Sequence, residues 1–204
     1  IGFYVIRQLI AGRDRFPLVL MLEPLFRCNL QCKGCGKIAH PSHVLDQALS
    51  ASECLDAARE CGAPVVSIAG GEPLLHPEIS LIVNQLVARK YIVYLCTNAL
   101  LVKKRINEFA PSPYLNFNIH LDGFRQRHDD MTGRAGVFDQ AVAAIALLQG
   151  RGFRVTTNTT LFKGDTPESV AAFFDFLTSL NVEGMMVAPA YSYEAASDQD
   201  HFLG

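Results

Sequence analysis

The stretch Pro17-Leu-Val-Leu-Met-Leu-Glu-Pro-Leu-Phe26 is followed, one residue later, by Cys28-Asn-Leu-Gln-Cys32-Lys-Gly-Cys35. An apolar run therefore ends in three thiols within eight residues, a density that is typical of metal ligands. Two chemistries are open at this point. An iron–sulfur cubane held by three cysteines keeps one iron free for another molecule, whereas zinc takes a fourth protein ligand, for which His40 or His43 is available.

Composition limits the class of protein. The 204 residues are 50% hydrophobic and 19% charged, which predicts a globular domain with a full core. The formal net charge of -2, with both signs interspersed, gives no reason to expect a nucleic-acid partner. Six cysteines without a secretory segment favour a reducing cytoplasm over a disulfide framework. No apolar run approaches membrane-spanning length.

Residues 1–16 form an amphipathic segment that is rich in arginine. Phe3, Ile6 and Ile10 fall on one helical face. We expect a helix that covers the open end of a barrel. The alternative is peripheral contact with the inner face of the membrane.

From Pro17 onward, short apolar runs alternate with helical segments, which predicts repeated βα units and a parallel sheet. The predicted strands cover residues 17–26, 64–71, 91–98, 115–123, 154–162 and 184–191. The predicted helices cover residues 51–61, 77–90, 102–109, 137–150 and 167–180. Five right-handed crossovers are compatible with a partial barrel or with an open, doubly wound sheet.

Two predicted strands carry a polar face. The polar positions alternate with apolar ones and are Asn116, Asn118, His120 and Asp122 in the fourth strand and Thr156, Asn158 and Thr160 in the fifth. A parallel strand covered by helices normally has two apolar faces, so this pattern indicates a barrel interior that holds something polar. In α/β folds the site lies at the carboxyl ends of the strands, where the three cysteines follow the first strand.

Gly70-Gly71-Glu72-Pro73 follows the second strand. With the cysteine motif, it resembles the radical SAM superfamily, as do Cys96-Thr97-Asn98 and the segment from His120 to Gly123. The resemblance implies a partial (β/α)6 TIM-like barrel over residues 17–192. Residues 193–204 are then the start of a C-terminal extension that we expect to continue beyond the chain.

The resemblance also implies a set of ligands. Cys28, Cys32 and Cys35 would hold a 4Fe-4S cluster whose free iron chelates S-adenosylmethionine (SAM). The candidates for SAM contacts are Gly70, Gly71, Glu72 and Pro73 at the amino group, and Asn98, His120, Asp122, Asn158 and Thr160 at the carboxylate and ribose. The alternative for each of the last five is a polar side chain at a strand end that forms its hydrogen bonds within the protein.

One position departs from the superfamily pattern. An aromatic residue usually precedes the third cysteine, where this chain has Gly34. The missing ring leaves room beside the expected adenine site.

The longer strings from Pro17 to Ile38 and from Val65 to Ile79, together with YLCTNALL and RVTTNTTLF, resemble the radical SAM adenosylhopane synthases of hopanoid biosynthesis. The resemblance implies addition of a 5′-deoxyadenosyl radical to the terminal alkene of the triterpene diploptene. The enzyme would be a transferase that consumes SAM and takes electrons from a donor such as flavodoxin or ferredoxin.

Addition to a terminal alkene leaves a tertiary carbon radical, and a thiol is a good hydrogen-atom donor. Cys96 shares a strand face with Tyr94 and Asn98, so we predict that Cys96 quenches the radical, with Tyr94 as a second candidate. The alternative is that Cys96 is a small buried hydrophobe.

A slot for the triterpene needs apolar walls, for which Met21, Met185 and Met186 are candidates. Packing in the core explains these methionines equally well.

Three other functions compete with this interpretation. The nearest is a radical SAM enzyme that abstracts hydrogen from a peptide or small molecule. A non-catalytic zinc- or cluster-binding domain belongs to a different class. A thioredoxin-like module is disfavoured because that motif belongs to a smaller domain with fewer strands.

Overall fold

The computed structural model describes residues 1–192 and 200–203, which contain one six-stranded sheet in the sequential order β1 to β6. Every neighbouring pair of strands is parallel. The strands are β1 Val19–Leu22, β2 Val65–Ile68, β3 Ile92–Thr97, β4 Leu115–His120, β5 Arg154–Leu161 and β6 Met185–Pro189. Because the strand order never reverses, the sheet has no topological switch point, and the chain forms the half-barrel rather than the doubly wound alternative.

Helix α1 Gly2–Ile10 precedes the sheet, and the other helices lie between successive strands. They are α2 Ser42–Leu45, α3 Ala51–Cys61, α4 Ile79–Ala88, α5 Val102–Arg105, α6 Arg125–Thr132, α7 Val137–Gly150 and α8 Pro167–Ser179. Short 3-10 turns cover Lys37–Ala39, Pro73–Leu75 and Ile106–Glu108. The six predicted strands and the five predicted crossover helices are confirmed, although all six strands are shorter than predicted. Helix α6 over residues 125–132 was not predicted.

Local sequence signals set the ends of the crossover helices. At α3, Ser50 and Glu53 form a reciprocal capping box, and Gly62 ends the helix in the left-handed conformation with φ 66°. At α8, Thr166 and Ser169 cap the first turn, and Pro167 occupies a position where no backbone N–H is needed.

The sheet separates an apolar layer from a polar interior. Leu95, Phe117 and Ile119 are fully buried against the helices, and Phe117 meets the ring of Phe109 edge-on at 5.5 Å. The alternate residues of β4 and β5 face the interior of the half-barrel. Hydrogen bonds connect the polar side chains among them.

Thr156 Oγ1 lies 2.9 Å from Asn116 Oδ1 and 3.1 Å from Asn118 Oδ1. The three side chains are buried, and the single hydroxyl hydrogen of Thr156 is shared between the two amide oxygens. The predicted polar face is therefore an internal wall of the barrel.

The N-terminal helix α1 does not cover the barrel, so that prediction was wrong. No residue of α1 is buried, and Phe3 and Ile10 are each 83% exposed. Tyr4 connects the helix to the segment before β1, because its hydroxyl donates to the Pro17 carbonyl and its ring packs edge-on against Phe16. The amphipathic periodicity predicted the helix correctly, but the expectation that its apolar face packs against the barrel was wrong.

The predicted C-terminal extension falls partly outside the described residues, since residues 193–199 and 204 are not among them. Residues 200–203 lie against the end of β6, where Leu203 forms a parallel bridge with Tyr191. In the described part of the chain, no helix combines the length and the apolar character that crossing a bilayer requires.

Candidate active site

The cysteine-bearing loop after β1 is fixed by backbone hydrogen bonds on two sides. On one side, the N–H groups of Gly71 and Glu72 donate to the carbonyls of Leu25 and Arg27, each at 3.0 Å. On the other side, the Lys33 N–H donates to the Met131 carbonyl at the end of α6, at 2.7 Å. The loop is therefore positioned by the end of β2 and by α6.

Gly70 and Gly71 are needed for this contact. A Cβ atom at Gly71 would lie 2.1 Å from the Arg27 carbonyl oxygen, and one at Gly70 would lie 2.3 Å from the Leu25 carbonyl oxygen. Gly70 also has φ 121°, a conformation that side chains oppose. We expected this backbone to approach a ligand closely. Its closest approach is to the chain that leads into Cys28.

Glu72 is buried, and donors from the chain occupy its carboxylate. Oε1 accepts from the Thr97 hydroxyl at 2.7 Å and from the Leu74 N–H at 3.0 Å, while Oε2 accepts from the Asn98 N–H at 2.9 Å. Burial raises the pKa of Glu72, and the three hydrogen bonds only partly offset this effect. Glu72 therefore joins the carboxyl ends of β2 and β3, in addition to bordering the ligand cavity.

Asn98 continues this connection to the cysteine loop. Its Nδ2 donates to Asn29 Oδ1 at 2.7 Å and lies 3.8 Å from the Cys28 sulfur, while its Oδ1 accepts from the Leu100 N–H. The Asn98 side chain therefore links the end of β3 to the loop at Cys28.

A cavity of about 390 Å³ opens at the carboxyl ends of the strands, within the size range of small-molecule sites. Its lining brings together all three cysteines and every predicted SAM-contact residue except Pro73. The predicted residues in the lining are Gly70, Gly71, Glu72, Asn98, His120, Asp122, Asn158 and Thr160. Pro73 is buried and begins a 3-10 turn instead.

The three thiols are free and close enough to affect one another electrostatically. Burial raises the pKa of Cys28, and burial together with the negative charges of Cys28 and Cys35 raises the pKa of Cys32 to about 12. A positively charged metal centre would relieve this repulsion and displace the protons.

The histidines that could complete a zinc site do not stand beside the cysteines. Within residues 1–192 and 200–203, no three His, Cys, Asp or Glu side chains, the three cysteines included, are already arranged around one metal ion, so the cysteine loop would adjust when a metal centre binds. The ring of His40 stacks on Phe26 at 5.2 Å, and neither His40 nor His43 belongs to the described cavity lining.

His120 and Asp122 form an ion pair on one wall of the cavity, with His120 Nε2 2.7 Å from Asp122 Oδ2. Burial opposes charge on His120, but the carboxylate of Asp122 outweighs it and raises the pKa of His120. Burial likewise opposes charge on Asp122, yet His120 and the Thr160 N–H lower the pKa of Asp122.

His128 on α6 supports this pair, and it was missed in the sequence because its helix was not predicted. Its Nδ1 accepts from the Asp122 N–H at 3.1 Å, which orients the backbone of Asp122. Burial, reinforced by the charge of His120, lowers the pKa of His128 to about 4, so the ring is neutral at pH 7.

Cys96 lies in the cavity wall on the interior face of β3, as predicted. Its sulfur is 3.5 Å from Ser67 Oγ and accepts from Asn118 Nδ2, also at 3.5 Å. The same amide nitrogen lies 3.6 Å from the Met186 sulfur.

The three candidate methionines of the slot divide into two groups. Met21 and Met186 are 61% and 39% exposed on strands β1 and β6, at the two edges of the half-barrel. Met185 is partly buried and packs against the main hydrophobic core, which is the alternative given for these methionines.

The space beside Gly34 is filled by a ring from a distant part of the chain. A Cβ atom at Gly34 would lie 3.1 Å from Cζ of Phe202, and Phe162 is also close. Phe162 and Phe202 both line the cavity. No local sequence signal connects residue 202 with residue 34, so this contact was not predicted.

Residues 22–177 match the family model of the radical SAM superfamily, which is most of the chain. The chain belongs to the radical SAM superfamily. Members of this superfamily use a 4Fe-4S cluster and SAM, and they are enzymes.

The chain is similar to several known radical SAM proteins. It is 28% identical over 162 residues to an AdoMet-dependent heme synthase from Methanosarcina barkeri, covering 77% of this chain and 46% of that protein. It is 25% identical over 175 residues to GTP 3',8-cyclase 1 from Mycobacterium tuberculosis, covering 80% of this chain and 49% of that protein. The chain thus spans about half the length of these relatives.

Among solved structures, Streptococcus suis SuiB bound to S-adenosylmethionine matches with a TM-score of 0.78 and 22% identity, over 95% of this chain and 45% of that one. At this identity the match supports the half-barrel fold.

The residues of this radical SAM chain fit both expected groups. Three free thiols, whose thiolate forms would repel one another without a metal, are the donor type that an iron–sulfur cluster requires. The cavity beside them offers hydroxyl, amide and imidazole groups together with aromatic rings, which suits a ligand with a polar amino-acid part and a flat base.

We predict that Gly71→Ala lowers the iron content of reconstituted protein and destabilises it by about 1–3 kcal/mol, as for other insertions into packed sites. The added methyl group would overlap the Arg27 carbonyl and displace the loop at Cys28. Iron analysis and denaturant unfolding measure the two effects. Gly150→Ala is the matched control, because a Cβ there meets no atom within 4 Å. Normal iron binding in Gly71→Ala would contradict the assigned role.

We predict that Asp122→Asn lowers the pKa of His120, because the carboxylate is what raises it above its ordinary value of 6.5. In the wild type, the stability that His120 contributes is present below this value and is lost as the pH rises through its raised pKa. The contribution of Asp122 is present above its ordinary value of 3.8 and is lost as the pH falls through its lowered pKa.

Histidine NMR titration of the two proteins, with the His120 signal assigned from a His120→Gln variant, measures this effect. An unchanged His120 pKa in Asp122→Asn would show that the pair is not formed in solution.

Proposed function

We propose that this chain is the catalytic core of an adenosylhopane synthase, with residues 17–192 as its core domain. In this reaction the 5′-deoxyadenosyl group of SAM is joined to the terminal alkene carbon of diploptene. The proposal is supported by the motif strings that resemble this family. The structural observation that supports it best is the Cys96 thiol in the wall of the cofactor cavity.

Cys28, Cys32 and Cys35 would hold the cluster, which, when bound, supplies the electron for cleavage of the sulfonium bond of SAM. Other residues of this chain position the ligands. Glu72 and Asn98 keep the cysteine loop against the ends of β2 and β3. His120, Asp122, Asn158 and Thr160 offer hydrogen bonds at the opposite wall for the carboxylate and ribose of SAM.

Cys96 would complete the reaction. When the deoxyadenosyl C5′ bonds to the terminal alkene carbon, the unpaired electron moves to the neighbouring tertiary carbon. Hydrogen-atom transfer from the Cys96 thiol forms the final C–H bond and leaves a sulfur radical. One electron and one proton then restore the thiol. The whole conversion consumes SAM, diploptene, two electrons and one proton, and it yields adenosylhopane and methionine.

The two electrons enter singly, which suits a one-electron carrier. We propose flavodoxin or ferredoxin as the donor. Consumption of about two equivalents of reduced carrier per adduct, as the balance above requires, checks this part of the proposal.

The triterpene would lie along the open side of the half-barrel. Met21 and Met186 stand exposed at the two edge strands, and flexible thioether side chains adapt to an apolar ligand of irregular outline. The Met186 sulfur shares the Asn118 amide with Cys96, so this apolar edge adjoins the thiol.

A second candidate function is hydrogen abstraction from another substrate, such as a peptide or a small molecule. It is favoured by the names of similar proteins, which include a heme synthase, a GTP cyclase and a mycofactocin maturase, and none of these names a triterpene. The two functions differ in product, because abstraction releases 5′-deoxyadenosine whereas addition retains it in the lipid.

We predict that the reconstituted protein, given SAM, a reductant and diploptene without oxygen, forms a lipid whose mass equals hopene plus the deoxyadenosyl group and one hydrogen. Mass spectrometry of the lipid fraction detects it. Release of 5′-deoxyadenosine without any adduct would instead favour hydrogen abstraction.

The same assay includes Cys96→Ala. This variant should still cleave SAM, but it should yield less reduced adduct per SAM consumed and a mixture of epimers at the new centre. Cys61→Ala is the matched control, because Cys61 lies on α3 outside the cavity lining. Unchanged yield and stereochemistry in Cys96→Ala would eliminate the proposed role of the thiol.

We also propose that α1 contacts an anionic membrane surface, from which an apolar substrate is taken up. Phe3, Ile6 and Ile10 are exposed on the helix, and Arg7 lies in its last turn. An exposed apolar face accompanied by arginines is the pattern of interfacial helices.

We expect the protein to co-sediment with vesicles that contain phosphatidylglycerol, and Arg7→Gln to weaken the binding about fivefold, since one basic residue near an anionic surface contributes about 1 kcal/mol. Phe3→Ser should weaken it further. Leu81→Ser on α4 is the control, because Leu81 is 46% exposed elsewhere on the surface. Equal binding by all four proteins would exclude α1 as the contact.

A further inference from the structure

The cavity has an aromatic wall that is built by residues from the far end of the chain. Phe202 and Phe162 are 7% and 6% exposed, and they form a small apolar cluster with Met131 and Ala190. Both rings also line the cavity that contains the three cysteines. The rest of the lining includes polar side chains from the ends of β2 to β5, so the cavity offers both aromatic rings and hydrogen-bonding groups.

Backbone hydrogen bonds fix Phe202 in this position. On one side of it, the His201 carbonyl accepts from the Lys163 N–H at 2.9 Å. On the other side, the Leu203 N–H donates to the Ala190 carbonyl at 3.0 Å. The two anchors belong to the ends of β5 and β6, so the ring is attached to the sheet on both sides.

Gly34 is what allows the ring to approach the cysteine loop. The residue has φ 73°, and a Cβ there would lie 3.1 Å and 3.3 Å from two atoms of the Phe202 ring. A side chain at residue 34 and the ring of Phe202 therefore compete for one space. The chain fills this space with the distant ring.

We propose that Phe202, whose ring fills the space that Gly34 leaves beside the third cysteine, provides the aromatic surface against which the adenine of SAM binds. Adenine is the flat aromatic part of SAM, and a ring beside the third cysteine is the part of the cavity that matches it. Residues 200–203 are then part of the cofactor site. This proposal rests on the SAM part of the proposed function and is independent of the triterpene.

The test is binding of three probes to cluster-reconstituted protein without a second substrate: SAM, 5′-methylthioadenosine and methionine. Phe202→Ala should weaken the binding of SAM and of methylthioadenosine roughly 5- to 150-fold, the range found when a base loses an aromatic stacking partner. Methionine, which has no base, should bind as it does to the wild type. Leu81→Ala is the control, because Leu81 is 46% exposed on α4 and is absent from the lining of this cavity.

Phe202→Tyr and Phe202→Leu separate stacking from simple filling of space. The tyrosine variant should keep the affinity for methylthioadenosine, and the leucine variant should lose most of it. Equal affinity in Phe202→Leu and the wild type would overturn the proposal, as would an equal loss for methionine. If no probe bound the wild type, the SAM site itself would be refuted, which is a different failure.

A double-mutant cycle checks the contact itself. Gly34→Ala should weaken methylthioadenosine binding in the wild type by displacing the Phe202 ring. The same substitution should reduce the affinity for methylthioadenosine much less in the Phe202→Ala background, where backbone strain at residue 34 remains but the ring is absent. Equal losses in the two backgrounds would overturn the assignment.

Discussion

The buried carboxylate of Glu72 is the interaction on which the site depends. It accepts from Thr97 and Asn98 at the end of β3, while its own N–H holds Arg27 in the cysteine loop. A buried carboxyl group that accepts three hydrogen bonds is strongly held, and its removal would leave those donors unsatisfied in the interior. Two strands and the cysteine loop therefore meet at one residue. Because Asn98 extends the connection to Asn29 and Cys28, the order of the first thiol depends on the same carboxylate.

The barrel was predictable because its signals are local. Short apolar runs indicate the strands, and the capping box at Ser50 and the left-handed Gly62 mark the two ends of α3. Each signal is formed by residues that are close in the sequence. Helix α6 was missed because its sequence, RQRHDDMT, has no continuous apolar stripe. Its stability comes from tertiary contacts instead, through His128 at Asp122 and through Met131 in the cluster beneath the cavity.

The residues of the site were predictable and the direction of their contacts was not. Alternation along β4 and β5 correctly placed His120, Asp122 and Asn158 on the cavity. The sequence did not show whether the Glu72 carboxylate accepts hydrogen bonds from a ligand or from the protein chain, because either set of donors would suit it. The pairing of Gly34 with Phe202 joins positions far apart in the sequence, which no pattern in one sequence records. For α1, the periodicity describes the helix but does not identify what its apolar face meets.

For the proposed chemistry, the composition of the wall around Cys96 matters as much as the thiol. Asn118, Thr156 and Ser67 present N–H and O–H bonds, which are stronger than an S–H bond. A carbon radical in this space would therefore take hydrogen from sulfur and leave its polar neighbours intact. The Asn118 amide, oriented by Thr156, keeps the sulfur of Cys96 in one direction.

The hydrogen bond from Lys33 to Met131 has a consequence for how the protein is made. The loop with the three thiols emerges early from the ribosome, but one of its anchors is a carbonyl about a hundred residues later in the chain. Until α6 has been synthesised and has folded, the loop lacks that anchor and its thiols are accessible to oxidants and to adventitious ions. If these thiols hold the proposed cluster, their site is complete only after α6 has folded, and loading with iron and sulfide would follow the synthesis of this part of the barrel.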